Sequence, residues 1–357
     1  MSIKAQRFLN GMIDIVIPLL ATAIALILGA FMLIAFRKNP LEAYAALVSG
    51  AFGSSRALIQ TTLKATPLLL VGTGICIAFR GGVTNIGGEG QIIVGALSSA
   101  AVALYIPIES RWLLIPLCFL AAILSGAVWG GIPGVLKARL GVNEILTTVM
   151  MNSIAVYLSN FLLRGPMIDP REIEMGTRAS QTALLPESAF LTRLAPPTQL
   201  NTGSILAVLL AVVIYVMMWK TTIGYRIRAV GLNPAASRYG GIQVPVYQAL
   251  AITMAGALSG MAGAVEVLGV QHRVFENISG GYGFNGIVAA LFGNLHPLGT
   301  IPASFLFGGL MVGGNKLQRT VQVNSSFVDT LLGLVVLIVV AAKVVSANRS
   351  KRRAKNA

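Results

Sequence analysis

Apolar runs dominate the chain, recurring at close to membrane-spanning length with polar breaks between them. Stretches at about 13–36, 57–79, 91–106, 112–136, 145–163, 203–219, 247–267, 284–296, 297–312 and 327–344 are long enough, or nearly so, to cross a hydrocarbon core, for which a helix needs roughly 20 residues. The pattern predicts an all-α polytopic membrane protein of about ten transmembrane helices, built as a single domain over residues 1–357. Two segments, around Gly81–Gly90 and Gly280–Gly286, are short and interrupted by glycine. They read as broken or re-entrant helices, which a bilayer tolerates only where protein or a cavity satisfies the freed backbone. The first run, Ile13 to Phe36, is too long for the core of a secretory leader and reads as a retained helix.

Composition agrees with the pattern. Only 11% of the 357 residues are charged, 55% are hydrophobic, and the mean hydropathy is +0.78. Soluble domains carry roughly 25% charged residues, so this chain has too little charge to dress a water-facing surface. The formal net charge of +15 is then a matter of topology rather than of nucleic-acid binding, because basic residues collect on the cytoplasmic side of membrane proteins. With Lys4 and Arg7 inside, an even number of crossings returns the basic tail 349–357 to the same side, where it anchors to anionic lipid. The same assignment places Arg80, Lys137, Arg139 and a loop at about 220–246 in the cytoplasm. It places a loop of balanced charge at about 164–201 outside, with Arg37 and Lys38 as a local exception.

Small residues at intervals of four, Gly126, Gly130 and Gly134 in one run and Gly256, Gly260 and Ala264 in another, let helix backbones approach closely and predict helix packing within the chain. Enzyme chemistry is poorly served. No G-x-x-x-x-G-K-[ST] phosphate loop occurs, nor H-E-x-x-H, nor G-x-S-x-G. The two histidines, His272 and His296, and the two cysteines, Cys76 and Cys118, supply neither a metal cluster nor a disulfide framework. We therefore expect no catalytic residue, no metal site and no cofactor held by this chain.

Two segments carry unusual chemistry. In Phe79-Arg-Gly-Gly-Val-Thr-Asn-Ile-Gly-Gly-Glu-Gly-Gln91 glycines, amides and a carboxylate interrupt two apolar runs. An ionisable residue such as Glu89 near membrane depth is costly unless paired or facing water. Asn85, Glu89 and Gln91 can cap the N–H groups of the following helix, or they can contact a transported solute. The second segment is Ile223 to Ile242. There Asn233 followed by Pro234 is a helix start, with Asn as N-cap and Pro at the first helical position, and Gly240-Gly241 ends the helix after two turns. So short a helix needs tertiary support or a partner surface.

Ala229-Val-Gly-Leu-Asn-Pro-Ala-Ala-Ser-Arg-Tyr-Gly-Gly-Ile242 resembles the cytoplasmic coupling segment of ATP-binding-cassette (ABC) importer permeases of the ribose and branched-chain amino-acid superfamily. Phe79–Gln91, Val142–Asn152 and Gly281–Ile287 are similar to the branch serving nucleosides. Asn85-Ile-Gly-Gly-Glu-Gly stands where ribose-type permeases carry an acidic Gly-Gly-Ile-Asp-Leu-Ser type run. The resemblance implies a permease subunit in a bacterial inner membrane, with ATP and magnesium handled by separate cytoplasmic ATPase chains. Its further partners would be a second, shorter permease and an extracytoplasmic binding protein. It implies coupling through Asn233, Pro234, Ala235, Ala236, Ser237, Arg238 and Tyr239. It also implies a path for nucleosides, or for a simple sugar. Asn85, Glu89, Gln91, Asn152, Phe284 and Asn285 are the candidate path residues, amides and an aromatic being what base edges and faces require. Gly81-Gly82…Asn85-Ile86-Gly87 and Gly280-Gly281…Asn285-Gly286-Ile287 fall on opposite sides of the membrane in this topology, the pattern of an inverted repeat. The competing reading is a stand-alone ion-coupled transporter with Glu89 or Glu266 as the coupling carboxylate.

Overall fold

The computed structural model describes residues 26–322 together with 23, 24, 327, 330, 333, 334, 337 and 338. Lys4, Arg7, the first part of the run at 13–36, most of the run at 327–344 and the tail 349–357 lie outside the described residues. Among the described residues β pairing is limited to two isolated bridges, Gln181 with Phe275 and Arg193 with Asn201. The helices are α1 (Leu26–Ala35), α2 (Pro40–Phe52), α3 (Ser55–Arg80), α4 (Gly88–Tyr105), α5 (Arg111–Leu140), α6 (Glu144–Arg164), α7 (Pro170–Glu174), α8 (Thr202–Lys220), α9 (Thr222–Leu232), α10 (Pro234–Tyr239), α11 (Val244–Glu266), α12 (Tyr282–Phe292) and α13 (Pro297–Val321).

Six of these, α3, α5, α6, α8, α13 and α11 with its extension to Gln271, are long and apolar enough to cross a membrane. The chain is thus multi-pass, but the described residues support six crossings by length and composition rather than the expected ten. Of the four remaining runs, that at 13–36 lies partly and that at 327–344 mostly outside the described residues, and the other two fall short for local reasons. Helix α4, 18 residues long, carries Glu89 and Gln91 in its first turn, and α12 has 11 residues, enough for about 16 Å of rise.

Two compact units are present, one of Met1–Thr61 with Gly308–Ala357 and one of Thr62–Phe307. In the first, α2 was not expected from the apolar pattern. It starts where Asn39 accepts a hydrogen bond from the Leu41 N–H at 3.0 Å and Pro40 opens the helix. The end of α13 lies close against it, since a side chain on Gly313 would begin 2.2 Å from the Leu47 carbonyl oxygen.

In the second unit α11 is the central helix, packed on α5 and α4. The two predicted glycine stripes meet each other. A Cβ on Gly256 would lie 2.3 Å from the Gly126 carbonyl oxygen, and one on Gly260 would lie 2.2 Å from that of Ala122. Backbones this close leave no room for any side chain, so the stripes are intramolecular packing surfaces, as the spacing predicts. Helices α6 and α8 turn apolar faces outward, with Tyr157, Phe161, Ile205 and Leu209 exposed, as lipid-facing helices do.

The segment between α6 and α8 is ordered by backbone pairing to the residues that follow α11. The N–H groups of Thr182, Leu185 and Leu191 donate to the carbonyls of Val274, His272 and Leu268 at 2.9, 2.9 and 3.0 Å. Before them α11 ends in one π turn, Val267–Gln271, a distortion that clusters at functional sites.

Candidate functional site

Helix α3 ends at Arg80 because Gly82 takes a left-handed φ of 72° and the Val83 N–H turns back to the Ala78 carbonyl at 3.1 Å. The chain then runs past Asn85 into α4. Asn85 Oδ1 accepts from the Gly87 N–H at 2.9 Å, and its amide pairs with the Gln91 amide, Asn85 Nδ2 donating to Gln91 Oε1 at 3.1 Å and Gln91 Nε2 donating to Asn85 Oδ1 at 3.3 Å. Asn152, on α6, accepts from the Gly90 N–H at 2.9 Å and donates to the Ile86 carbonyl at 2.9 Å. Thr148, one turn earlier on α6, accepts from the Ile86 N–H at 3.4 Å. At the start of α4 the Gly87 N–H is therefore met by Asn85 and the Gly90 N–H by α6.

Glu89 does not cap its own helix. Its Oε1 accepts from the N–H groups of Gly283 and Phe284 at 3.0 and 3.3 Å, so it caps α12 across 194 residues of sequence. The close approach requires glycine, because a Cβ on Gly283 would begin 2.2 Å from the Glu89 nitrogen. A carboxylate against the positive end of a helix is electrostatically favourable. Its second oxygen, Oε2, is buried, and the Ser279 hydroxyl also acts on the carboxyl.

The structure thus brings together Asn85, Glu89, Gln91 and Asn152, all buried, at the start of α12. Phe284 stands at the same helix start with its ring half exposed. Asn285 is half-buried and lies beside Gly281, whose Cβ would meet its Nδ2 at 3.4 Å.

A second polar group adjoins the same helix start and was missed by the sequence reading, apart from Glu266. Lys64 Nζ, inside α3, donates to the Tyr282 hydroxyl at 2.6 Å and lies 5.1 Å from its ring centre. Glu266 Oε1 accepts from Gln271 Nε2 at 2.9 Å across the π turn, and the Lys64 charge acts on it. The available signal was Lys64 itself, a cation within a spanning helix.

At another part of the unit Asn233 is both the last cap of α9 and the first of α10. Its N–H donates to the Ala229 carbonyl at 3.1 Å, and its Oδ1 accepts from the Ala236 N–H at 3.1 Å. Helix α10 covers the predicted Pro234–Tyr239 and stops where Gly241 adopts φ 76°. Helix α9, 11 residues long, was read as loop, its arginines hiding the buried stripe Gly224, Ile227 and Val230. Of α10 only Ser237 is buried, whereas Pro234, Ala235, Ala236, Arg238 and Tyr239 are exposed, Tyr239 at 94%. A groove of about 690 Å³ runs beneath it, with Arg226 Nη1 donating to the Tyr247 hydroxyl at 2.7 Å along one wall.

A family profile described as "Branched-chain amino acid transport system / permease component" matches residues 57–340. The nucleoside ABC transporter permease protein NupB of Lactococcus lactis is 36% identical over 305 residues, 84% of this chain and 83% of its own length. The guanosine ABC transporter permease protein NupP of Bacillus subtilis is 32% identical over 344 residues, 96% and 98% of the two chains. The glucose ABC transporter permease protein TsgB13 of Haloferax volcanii is 33% identical over 331 residues, 91% and 87%. The same Lactococcus and Bacillus organisms each hold a second permease named for the same substrate, 28% and 27% identical to this chain. With the profile covering most of the sequence and relatives this similar along most of their length, the chain belongs to the branched-chain amino-acid transport permease family.

Proposed function

We propose that this chain is the longer of two permeases forming the path of an ATP-driven nucleoside importer in a bacterial inner membrane. About ten crossings arranged as an inverted repeat place both termini and α9–α10 in the cytoplasm, with the segment 164–201 outside. Separate ATPase chains bind ATP and magnesium, and an extracytoplasmic binding protein delivers the solute. The observation that carries this reading is α10. A helix of six residues has no stability alone, yet here it is capped by Asn233, anchored through Ser237 and left open on its outer side, as a docking element for an ATPase surface. Closure of the ATPase pair then pushes on α10 and switches the access of the path.

The relatives named for nucleosides and guanosine support the substrate class. At the site, the amides of Asn85, Gln91 and Asn152 spend their hydrogen bonds on the fold, so the groups open to a nucleoside are the Phe284 ring and the Asn285 amide, with the buried Glu89 carboxyl at the same helix start. Stacking a base on an aromatic is worth about 1–3 kcal/mol, and we expect Phe284→Ala to raise the KM for nucleoside uptake roughly tenfold. A simple sugar is the second reading, favoured by the relative named for glucose.

The test is uptake in proteoliposomes holding the permease pair and its ATPase, with labelled guanosine, uridine and glucose supplied through the binding protein. ATP-dependent guanosine or uridine uptake, with glucose excluded, is the expected result. Glucose uptake alone would replace nucleosides with a sugar, and uptake by the isolated chain without ATPase would overturn the importer reading.

A further inference from the structure

Cationic side chains gather around one indole where α3 and α8 end and α9 begins. Trp219 lies in the last turn of α8, with the Arg80 guanidinium carbon 5.6 Å from its ring centre and that of Arg228 5.4 Å away. The His296 imidazole packs on the same indole at 4.6 Å, and Tyr215, one turn earlier, meets the indole at 5.6 Å and the imidazole at 5.3 Å. All five side chains belong to half-buried residues.

Among the described residues no carboxylate pairs with this cluster. Arg80 donates from Nε to the Leu295 carbonyl at 3.1 Å and from Nη2 to the Asn294 carbonyl at 3.2 Å, which satisfies N–H groups without neutralising the cation. Arg228 Nε is buried with no hydrogen-bond partner. Two ion pairs form among the described residues, Lys137 with Glu144 and Arg164 with Glu276, and neither reaches the cluster. Guanidinium groups withdrawn from water demand an anion, and the planar donor fork of arginine suits a phosphate.

The surroundings define what carries that anion. Val216, Val212 and Val208 stand three, seven and eleven residues before Trp219 on the same helical face, and all three are exposed. That stripe leads from the cluster along α8, an apolar spanning helix. Tryptophan and tyrosine at the end of such a helix mark the level of lipid headgroups. A single molecule with a phosphate at one end and hydrocarbon at the other matches both halves.

We propose that Arg80, Arg228 and Trp219 form a site for the phosphodiester headgroup of an anionic glycerophospholipid, with its acyl chains lying along the Val208–Val212–Val216 face of α8.

The chain has three tryptophans, so replacing Trp112 and Trp129 by Phe leaves Trp219 as the sole indole reporter. The full-length W112F/W129F chain is placed in nanodiscs, and Trp219 quenching by acyl-brominated phosphatidylglycerol is compared with quenching by brominated phosphatidylcholine at equal mole fraction. We expect a several-fold preference for phosphatidylglycerol, because basic side chains at the headgroup level attract anionic lipid. Adding Arg80→Gln and Arg228→Gln should abolish the preference, and the lysine pair R80K/R228K should keep part of it. Equal quenching by the two lipids in the parent chain overturns the proposal without recourse to any arginine variant. A preference that survives both glutamines overturns the arginine assignment. A preference erased by excess inorganic phosphate assigns the site to free phosphate and overturns the lipid.

Discussion

Glu89 holds two backbone N–H groups of α12 on one oxygen, and its other oxygen is buried. Glu89→Ala deletes both charge-assisted bonds and strands two buried donors, so a loss of about 3 kcal/mol is expected in reversible unfolding. Glu89→Gln keeps a carbonyl acceptor and should cost less than half as much. The pair separates the two roles that the sequence leaves open. If Oε2 meets the solute, Glu89→Gln lowers uptake while the unfolding midpoint barely moves; if the residue is only a cap, uptake follows stability through both variants. Gly283→Ala, whose new methyl would start 2.2 Å from the Glu89 nitrogen, should force α12 away from α4 and cost about 1–3 kcal/mol. At this scale sequence reading reached the residues but not their partners. Asn85, Glu89, Gln91 and Asn152 stand out as polar groups in apolar surroundings, yet nothing local says that a carboxylate in the first turn of α4 serves a helix 194 residues away, or that Lys64 meets Tyr282 across 218.

Elements follow the apolar pattern where burial or lipid demands it and depart where capping decides. Helices α3, α5, α6, α8 and α11 coincide with predicted runs because each contains a long apolar stretch. Helix α2 rests on the Asn39–Pro40 start, and α9 on a narrow stripe of Gly224, Ile227 and Val230, signals too short to show as runs. The segment between α6 and α8 is ordered by backbone bonds to the stretch after α11, which composition cannot reveal. These two paired stretches carry one group each with a depressed pKa, Glu172 in the first and His272 in the second. Donors from Thr177 and Gln181 hold the Glu172 carboxyl below the usual carboxylate range. Burial, assisted by the Arg193 charge, holds His272 below its ordinary 6.5 while it stacks on Phe190 at 3.8 Å. Each group binds protons more weakly folded than unfolded, so its stabilisation is present above the unfolded pKa and is lost as pH falls toward the folded one. His272 acts first, below about pH 6.5, and Glu172 below about 4.5. Amide exchange at Leu185 and Leu191, corrected for the intrinsic rate, should therefore quicken between pH 7.5 and 5, and His272→Phe should remove that dependence.

For the molecule as a whole, the energy for transport enters through α9 and α10 if the importer reading holds. Asn233→Ala removes a cap worth about 1 kcal/mol and, combined with Arg238→Ala, should lower ATP-driven uptake while membrane insertion is unchanged; full uptake by that double variant would remove α10 as the docking element. The route inward is short. A side chain on Gly231 would begin 2.0 Å from the Arg80 carbonyl oxygen and 2.8 Å from the Gly82 nitrogen, so α9 bears directly on the turn that leads from α3 to Asn85. Gly231→Ala should leave ATP hydrolysis running and depress solute uptake several-fold, which paired ATPase and uptake assays on one preparation would show.

Asn233, closing one helix and opening the next with its own backbone and side chain, has a mechanical consequence. Two helices that share a single residue as cap cannot slide past one another; they can only swivel about it. On the importer proposal, a thrust on the exposed side of α10 would be delivered to α9 as torque, with Gly231 against Arg80 as the fulcrum, and the stroke would be no longer than that one pivot allows.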